Sequence, residues 1–249
     1  MHELLVVDDD PASRYVTTRL LKAAGFRVRE AATGMQGLDL ADDSISAMVL
    51  DVHLPDIHGF ELCQRLRLRS DATARLPVLH LTAAFVTDDD KVRGLDSGAD
   101  AYLTHPVEPA VLVATVQALV RTHVAEGAMR RSEAKFKAIY AQAPSGISLL
   151  DATGRFSDAN PALLTLLGRS LADIVGKRVS CFVPPEWIER VDAYTARVAD
   201  APRHHEFPVL SGDGRQVHLE WAISSHVEPP LTVAVATDIL RECCLSSSA

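Results

Sequence analysis

Ala47-Met48-Val49-Leu50-Asp51-Val52-His53-Leu54-Pro55-Asp56-Ile57-His58-Gly59 is the stretch that decides the fold. Four apolar residues end on a carboxylate, and a proline and a glycine follow at four-residue steps. An apolar run closed by an acid predicts a buried strand that delivers one carboxylate to the C-terminal rim of a parallel sheet, where open α/β sheets keep their chemistry. A second run, Leu4-Leu5-Val6-Val7, ends on Asp8-Asp9-Asp10. Two strands ending in acid at one rim would build an oxygen-rich pocket for a hard cation such as Mg²⁺. The plainer alternative is that both acid groups only cap or solvate loops.

On either side of this stretch, strands and helices alternate through residues 3–120 as (βα)₅. Strands are predicted at Glu3–Val7, Phe26–Glu30, Ala47–Leu50, Leu76–Leu81 and Ala101–Leu103. Helices are predicted from Pro11 or Ala12 to Ala24, from a Thr33 cap to Ala41, over Gly59–Leu68 and Asp88–Ser97, and from Val107 onward. Helices between short apolar strands imply a parallel sheet covered on both faces by right-handed crossovers. Thr82 ends the fourth strand, which places its hydroxyl on the rim of Asp51. His105-Pro106 ends the fifth, and an X-Pro bond in a tight rim turn is a candidate for the cis form.

Composition bounds the function classes. The 249 residues are 47% hydrophobic and 23% charged, which suits one or two globular domains. No apolar stretch approaches the roughly 20 residues of a membrane span. Met1-His2-Glu3 lacks the basic and apolar regions of a secretory leader, so a cytoplasmic location is expected. Cys63, Cys181, Cys243 and Cys244 show no metal-ligand spacing and suit a reducing compartment. Residues 1–120 carry 18 acids and 11 bases, a net of −7, whereas residues 121–249 carry 15 and 14, a net of −1. The first half is therefore a poor electrostatic match for nucleic acid.

The segments LLVVDDD, VLDVHLPDIHG, LHLTAA and GADAYLTHPVEP resemble, in order, the receiver domain of two-component response regulators. The resemblance implies a flavodoxin-like fold with sheet order 2-1-3-4-5. It implies Asp51 as phosphoryl acceptor, and Asp8 and Asp9 as the acidic pair that holds Mg²⁺ with Asp51 and the backbone carbonyl of His53. Thr82 would contact the phosphoryl group and Tyr102 would change rotamer on activation. A histidine kinase or phosphotransfer protein would be the donor. One position departs from the pattern: His105 stands where the family usually has lysine before the rim proline, Pro106. Histidine is shorter and only partly protonated near neutral pH. Either the domain accepts phosphate but couples it weakly or pH-dependently to Thr82 and Tyr102, or His105 points to solvent and the loss is tolerated.

Val111, Val113, Val116, Leu119, Val120 and Val124 carry helical spacing beyond residue 120, and Phe136, Ile139 and Tyr140 resume it. One long or once-broken helix over residues 109–141 is expected, with Gly127 its weak point. It would pack on its own domain or form a parallel dimer, although Arg130 and Lys137 fall on the seam if Val113, Val116, Val120 and His123 are core.

The second half reads as α+β, closing in an antiparallel meander over His205–Leu210, Gln216–Ser225 and Leu231–Asp238. Short strands at Ile147–Leu150 and Arg155–Ser157 open it. Helices are predicted over Ala162–Leu167, Leu171–Ile174 and Glu186–Ala199. Ala143-Pro144-Ser145-Gly146-Ile147, Asp151-x-x-Gly154, Asn160-Pro161-Ala162, Leu167-Gly168, Gly176, Asp213-Gly214-Arg215 and Thr237-Asp238-Ile239 resemble a PAS domain, a sensor or dimerisation module. Flavin is not expected, because Cys181 lies five residues after Gly176 without the accompanying motif. Haem is not expected, because adjacent His204 and His205 face opposite sides of a strand. The expected organisation is a receiver at 1–120, a helical linker at 121–142 and a PAS domain with a short tail at 143–249. No kinase, helix-turn-helix or nucleotide-binding motif is apparent. The main reading is a phosphorelay protein without enzymatic activity of its own. The alternatives are a degenerate receiver serving a PAS ligand sensor as an interaction platform, and the front end of a hybrid histidine kinase.

Overall fold

The computed structural model describes residues 1–82, 98–196, 203–224 and 232–239. The chain divides into two compact units, Met1–Arg131 and Ser132–Ala249.

In the first unit β1 (Glu3–Val7), β2 (Arg27–Ala31), β3 (Ile45–Leu50), β4 (Val78–Thr82) and β5 (Ala101–Thr104) form a single sheet in the order β2-β1-β3-β4-β5. Every pairing is parallel, so the flavodoxin-like expectation holds. Strand alternation sorts the apolar runs onto two faces. Leu5, Val7, Met48, Leu50 and Val78 pack with Leu62, Cys63 and Leu66 of α3 (Gly59–Arg67). Leu4, Val6, Val49, Leu79 and Leu81 pack with Leu21 of α1 (Pro11–Ala23) and with Leu112, Val116 and Val120. Caps start the helices where the sequence places them. Asp10 accepts from the Ser13 N–H at 2.8 Å, and Thr33 accepts from the Gln36 N–H at 3.2 Å at the start of α2 (Gly34–Leu40).

Several bounds differ by a few residues from expectation, and two of the differences have a clear cause. β2 is shifted one residue toward Ala31, because its register follows β1 rather than its own weak apolar pattern. A 3₁₀ turn, Ala72–Arg75, takes up the lead into β4, which begins at Val78. Arg67 holds this turn by donating to the carbonyls of Ala74 and Leu76, while pairing with Asp100 at 2.9 Å. The helix expected over Asp88–Ser97 lies outside the described residues.

α4 (Pro109–Gln142) is one unbroken helix of 34 residues that passes through Gly127. Its first turns bury Leu112, Val116 and Val120 on the sheet of the first unit. Packing on its own domain therefore takes two of the four residues of the expected seam.

The second unit holds a five-stranded antiparallel sheet in the order β7-β6-β10-β9-β8. Its strands are β6 (Gly146–Leu150), β7 (Phe156–Ala159), β8 (Arg203–Leu210), β9 (Gln216–Ser224) and β10 (Thr232–Asp238). Helices α5 (Pro161–Leu167), α6 (Leu171–Ile174) and α7 (Ile188–Ala196) complete it. The helix expected from Glu186 opens as a 3₁₀ turn, Pro185–Trp187, because two prolines precede it. Phe156, Phe207 and Trp221 are the largest buried side chains of this core.

Asn160 is the polar hub of the second unit. Its side chain is fully buried and makes four hydrogen bonds. The oxygen accepts from Ile147 N–H at 2.8 Å and Leu163 N–H at 3.0 Å. The amide donates to the carbonyls of Tyr140 at 3.0 Å and Ser145 at 3.1 Å. It thereby ties the end of α4 to β6 and to the start of α5. Asn160→Leu strands all four partners, and each orphaned buried group costs about 1–3 kcal/mol. Chemical denaturation followed by Trp187 and Trp221 fluorescence should show the second unit destabilised by ~3 kcal/mol or more.

Candidate functional site

The site grows from strand ends that sheet pairing forces together. Val7 and Leu50 are register partners in β1 and β3, so Asp8 and Asp51 leave the sheet side by side. The Asp51 N–H donates to the Val7 carbonyl at 2.8 Å. One oxygen from each of Asp8, Asp9 and Asp51 lies within 4.8 Å of the others. Asp8 is buried, Asp51 half-buried and Asp9 exposed. Two ionised carboxylates at that spacing repel by roughly 3 kcal/mol at an effective dielectric near 20.

Local donors hold the acids in place. Asp8 accepts from the Asp10 N–H at 2.9 Å and from the Ser13 hydroxyl at 2.6 Å. Asp51 accepts from the Val52 N–H at 2.7 Å. Burial pushes the Asp8 carboxyl above the ordinary carboxylate range, and these donors only partly offset it. Burial also raises Asp51, and the neighbouring charge of Asp8 adds to the rise. Three converging carboxylate oxygens with an uncompensated charge are a donor set for a hard divalent cation.

These acids open onto a cavity of about 750 Å³ whose walls include Ser13, His53, Leu81 and His105. His105, half-buried, is thus among the residues that line the cavity of the acidic cluster. Its backbone N–H donates to the Thr82 carbonyl at 2.7 Å, and the His105–Pro106 bond is cis. Thr82 is fully buried, and its hydroxyl has no hydrogen-bond partner among the described residues. Tyr102, with Pro106, lines a different depression of about 490 Å³. The structure therefore gathers Asp8, Asp9, Asp51, His53 and His105 around one cavity, and holds Thr82 and Tyr102 behind it in the sheet.

Gly59 belongs to the site through its lack of a side chain. A Cβ there would press on the Asp51 carbonyl and approach Val52 Cα to 2.9 Å. Asp56 is a contributor that the sequence does not single out. Its carboxylate accepts from the N–H groups of Gly34 and Met35, both at 2.8 Å, and pins the loop after β3 to the start of α2. The two segments are 22 residues apart, and no local pattern links them.

The sequence profile of the response regulator receiver domain matches residues 4–117, and that of the PAS fold matches residues 140–241. The chain carries a receiver domain followed by a PAS domain. The receiver is 43% identical over 122 residues to the "DNA-binding dual master transcriptional regulator RpaA" of Synechocystis, covering 49% of this chain and 50% of that protein. It is 44% identical over 123 residues to "Transcriptional regulatory protein AfsQ1" of Streptomyces coelicolor, covering 49% and 52%. The chain thus spans about half the length of the curated relatives it matches. A receiver domain protein from Methanospirillum hungatei is similar at 29% identity, covering 51% of this chain and 98% of its own, with a TM-score of 0.46. Receiver domains take part in two-component signalling, typically bind Mg²⁺, and pair with histidine kinases or phosphotransfer proteins. Among the described residues no helix is long and apolar enough to cross a membrane.

In the PAS domain His204 pairs with Glu220 at 2.9 Å, and His205 stacks on Tyr194. Cys181 is an exposed thiol. Cys243 and Cys244 lie outside the described residues.

The raised carboxyls fix the sign of a pH effect. Both groups favour the protonated form when folded, so their contribution is present in acid and lost as pH rises through their elevated pKa values. Without divalent cations, Asp8→Asn should therefore raise the thermal midpoint at neutral pH. In the wild type, Mg²⁺ at ~100 times its Kd should restore about 2.7 kcal/mol, and Asp8→Asn should lose most of that gain. Thermal melts in EDTA and in Mg²⁺ check both.

Proposed function

We propose that the receiver accepts a phosphoryl group on Asp51 from a histidine kinase or phosphotransfer protein, and that α4 passes the change to the PAS domain. The convergence of Asp8, Asp9 and Asp51 on one cavity supports this reading most directly. Asp8, Asp9, Asp51 and the His53 carbonyl would hold Mg²⁺, which when bound screens the negative charge that must meet at the acceptor.

An Asp51 carboxylate oxygen attacks phosphorus. The bond from phosphorus to the donor imidazole nitrogen breaks, its electron pair returns to the imidazole, and an acyl phosphate remains on Asp51. Desolvation of Asp51 within the half-buried rim makes its oxygen a better nucleophile once ionised. Ser13 and Asp10 keep Asp8 turned toward the rim, so the cluster needs no rearrangement before reaction. The product places about −1.5 to −2 charges at one point. Thr82 supplies the hydroxyl that this charge attracts, and Tyr102 follows on the neighbouring strand. His105 and Pro106 shape the rim turn beside them.

The working organisation is a receiver at 1–120, a linker at 121–142 and a PAS domain at 143–249, in a cytoplasmic protein that binds no nucleic acid, is not embedded in a membrane and is not itself an enzyme. Exposed Met129, Phe136 and Ile139 support homodimerisation through the helix. The PAS domain is an interaction or ligand module whose ligand is neither flavin nor haem. One observation favours a second reading, an interaction platform with weakened switching: His105 brings a short imidazole where a lysine would bring a long-stemmed charge.

Acetyl phosphate with Mg²⁺ should add one phosphoryl mass to the wild type and none to Asp51→Asn. Equal labelling of both would exclude Asp51 as the acceptor. His105→Lys should change the lifetime of the acyl phosphate or the conformational response, and no change in either would exclude a coupling role for His105.

A further inference from the structure

β4 carries a polar group in the middle of an apolar run. His80 is fully buried, and both of its ring nitrogens lack a hydrogen-bond partner among the described residues. Burial lowers the imidazole to about 4, and the charges of His58 and Arg67 act in the same direction. The Leu50 carbonyl opposes them from nearby without meeting hydrogen-bond geometry. The ring is therefore neutral near pH 7, with one donor nitrogen and one acceptor nitrogen. Leaving such groups unpaired in a core destabilises the fold, whereas an apolar side chain at this position would not.

The surroundings of His80 are specific. Strand alternation puts Thr82, two residues on, upon the same face, and its buried hydroxyl also lacks a hydrogen-bond partner among the described residues. Tyr102 is the register partner of His80 on β5, with ring centroids 6.2 Å apart. The Tyr102 hydroxyl oxygen is itself shielded from solvent. On the other side Phe60 meets His80 edge-on at 5.0 Å and contacts His58 at 4.8 Å, and His58 meets His53 at 5.7 Å. His53 lines the acidic cavity. A continuous row of rings thus runs from the wall of the cavity to Tyr102, with His80 next to last.

We infer that His80 is a positioning residue for the Thr82–Tyr102 pair, its unprotonated nitrogen accepting the Tyr102 hydroxyl when a phosphoryl group on Asp51 draws Thr82 toward the rim. The inference rests on the acceptor role proposed above for Asp51. Movement of the Thr82 hydroxyl opens space on the face it shares with His80. Tyr102 turns into that space and its hydroxyl meets a ring already fixed by Phe60. One state then leaves the imidazole unpaired and the other pairs it. Only such a difference between states can shift an equilibrium between them. In a low-dielectric core the new hydrogen bond is stronger than its counterpart in water.

The test uses the full-length chain with ¹⁵N-labelled histidine. His80→Leu identifies the His80 ring signals by their deletion. Acetyl phosphate with Mg²⁺ is added, and intact mass records phosphoryl gain at Asp51. In phosphorylated wild type, the unprotonated His80 nitrogen should move to lower frequency, as an imidazole nitrogen does on accepting a hydrogen bond. In Tyr102→Phe protein carrying the same phosphoryl mass, it should stay where it was. A His80 signal that ignores phosphorylation of Asp51 overturns the inference, as does one that moves equally in Tyr102→Phe. Absence of phosphoryl gain at Asp51 overturns the acceptor role and this inference with it, and the mass alone tells that outcome from the others.

Discussion

Like charge held together by the backbone is the constraint on which the receiver depends. Parallel pairing of β1 with β3 makes Val7 and Leu50 neighbours, and the next residue on each strand is an aspartate. The backbones at Asp8 and Asp51 cannot move apart without breaking the hydrogen bond from Asp51 N–H to the Val7 carbonyl. Burial makes their repulsion stronger than it would be in water. The site is thus under electrostatic load, and much of the local structure holds the acids together. Ser13 and the Asp10 N–H restrain Asp8. Gly59 lets α3 approach the backbone at Asp51 and Val52. Asp56 fastens the intervening loop to α2.

Behind the rim the sheet carries a second kind of unrealised interaction. Thr82 and His80 lie on one face of β4, buried, with side-chain polar atoms that lack a hydrogen-bond partner among the described residues. Under the proposed acceptor role of Asp51, new charge at the rim would supply the bias and unmade hydrogen bonds in the core would supply a state for it to select. The PAS domain is built differently. Its buried polar hub, Asn160, makes all four of its hydrogen bonds and fixes the last turn of α4 to the sheet.

Much of this was legible in the sequence, for a physical reason. Strands buried on both faces must be apolar throughout, so Leu4–Val7 and Ala47–Leu50 announce themselves and the acids that end them mark the rim. Sheet order is not encoded in spacing, and order 2-1-3-4-5 came through family resemblance. A cap such as Thr33 is local and was readable, whereas the Asp10 cap emerged only with the structure. What stayed hidden depends on register between distant segments. His80 sits inside Val78-Leu79-His80-Leu81, which reads as a strand whatever the histidine does. Its relation to Tyr102 exists only once β4 and β5 pair. Likewise, the apolar spacing along α4 does not say which face the sheet will take, and the sheet takes Leu112, Val116 and Val120.

The central claim is that the clustered carboxylates become an anion receptor only when a divalent cation joins them. Fluorine NMR of the full chain with beryllofluoride, a mimic of the phosphoryl group, tests it most directly. The account predicts protein-bound fluorine signals in the wild type with Mg²⁺, none in EDTA, and none with Asp51→Asn. Bound signals of equal strength in EDTA would contradict it.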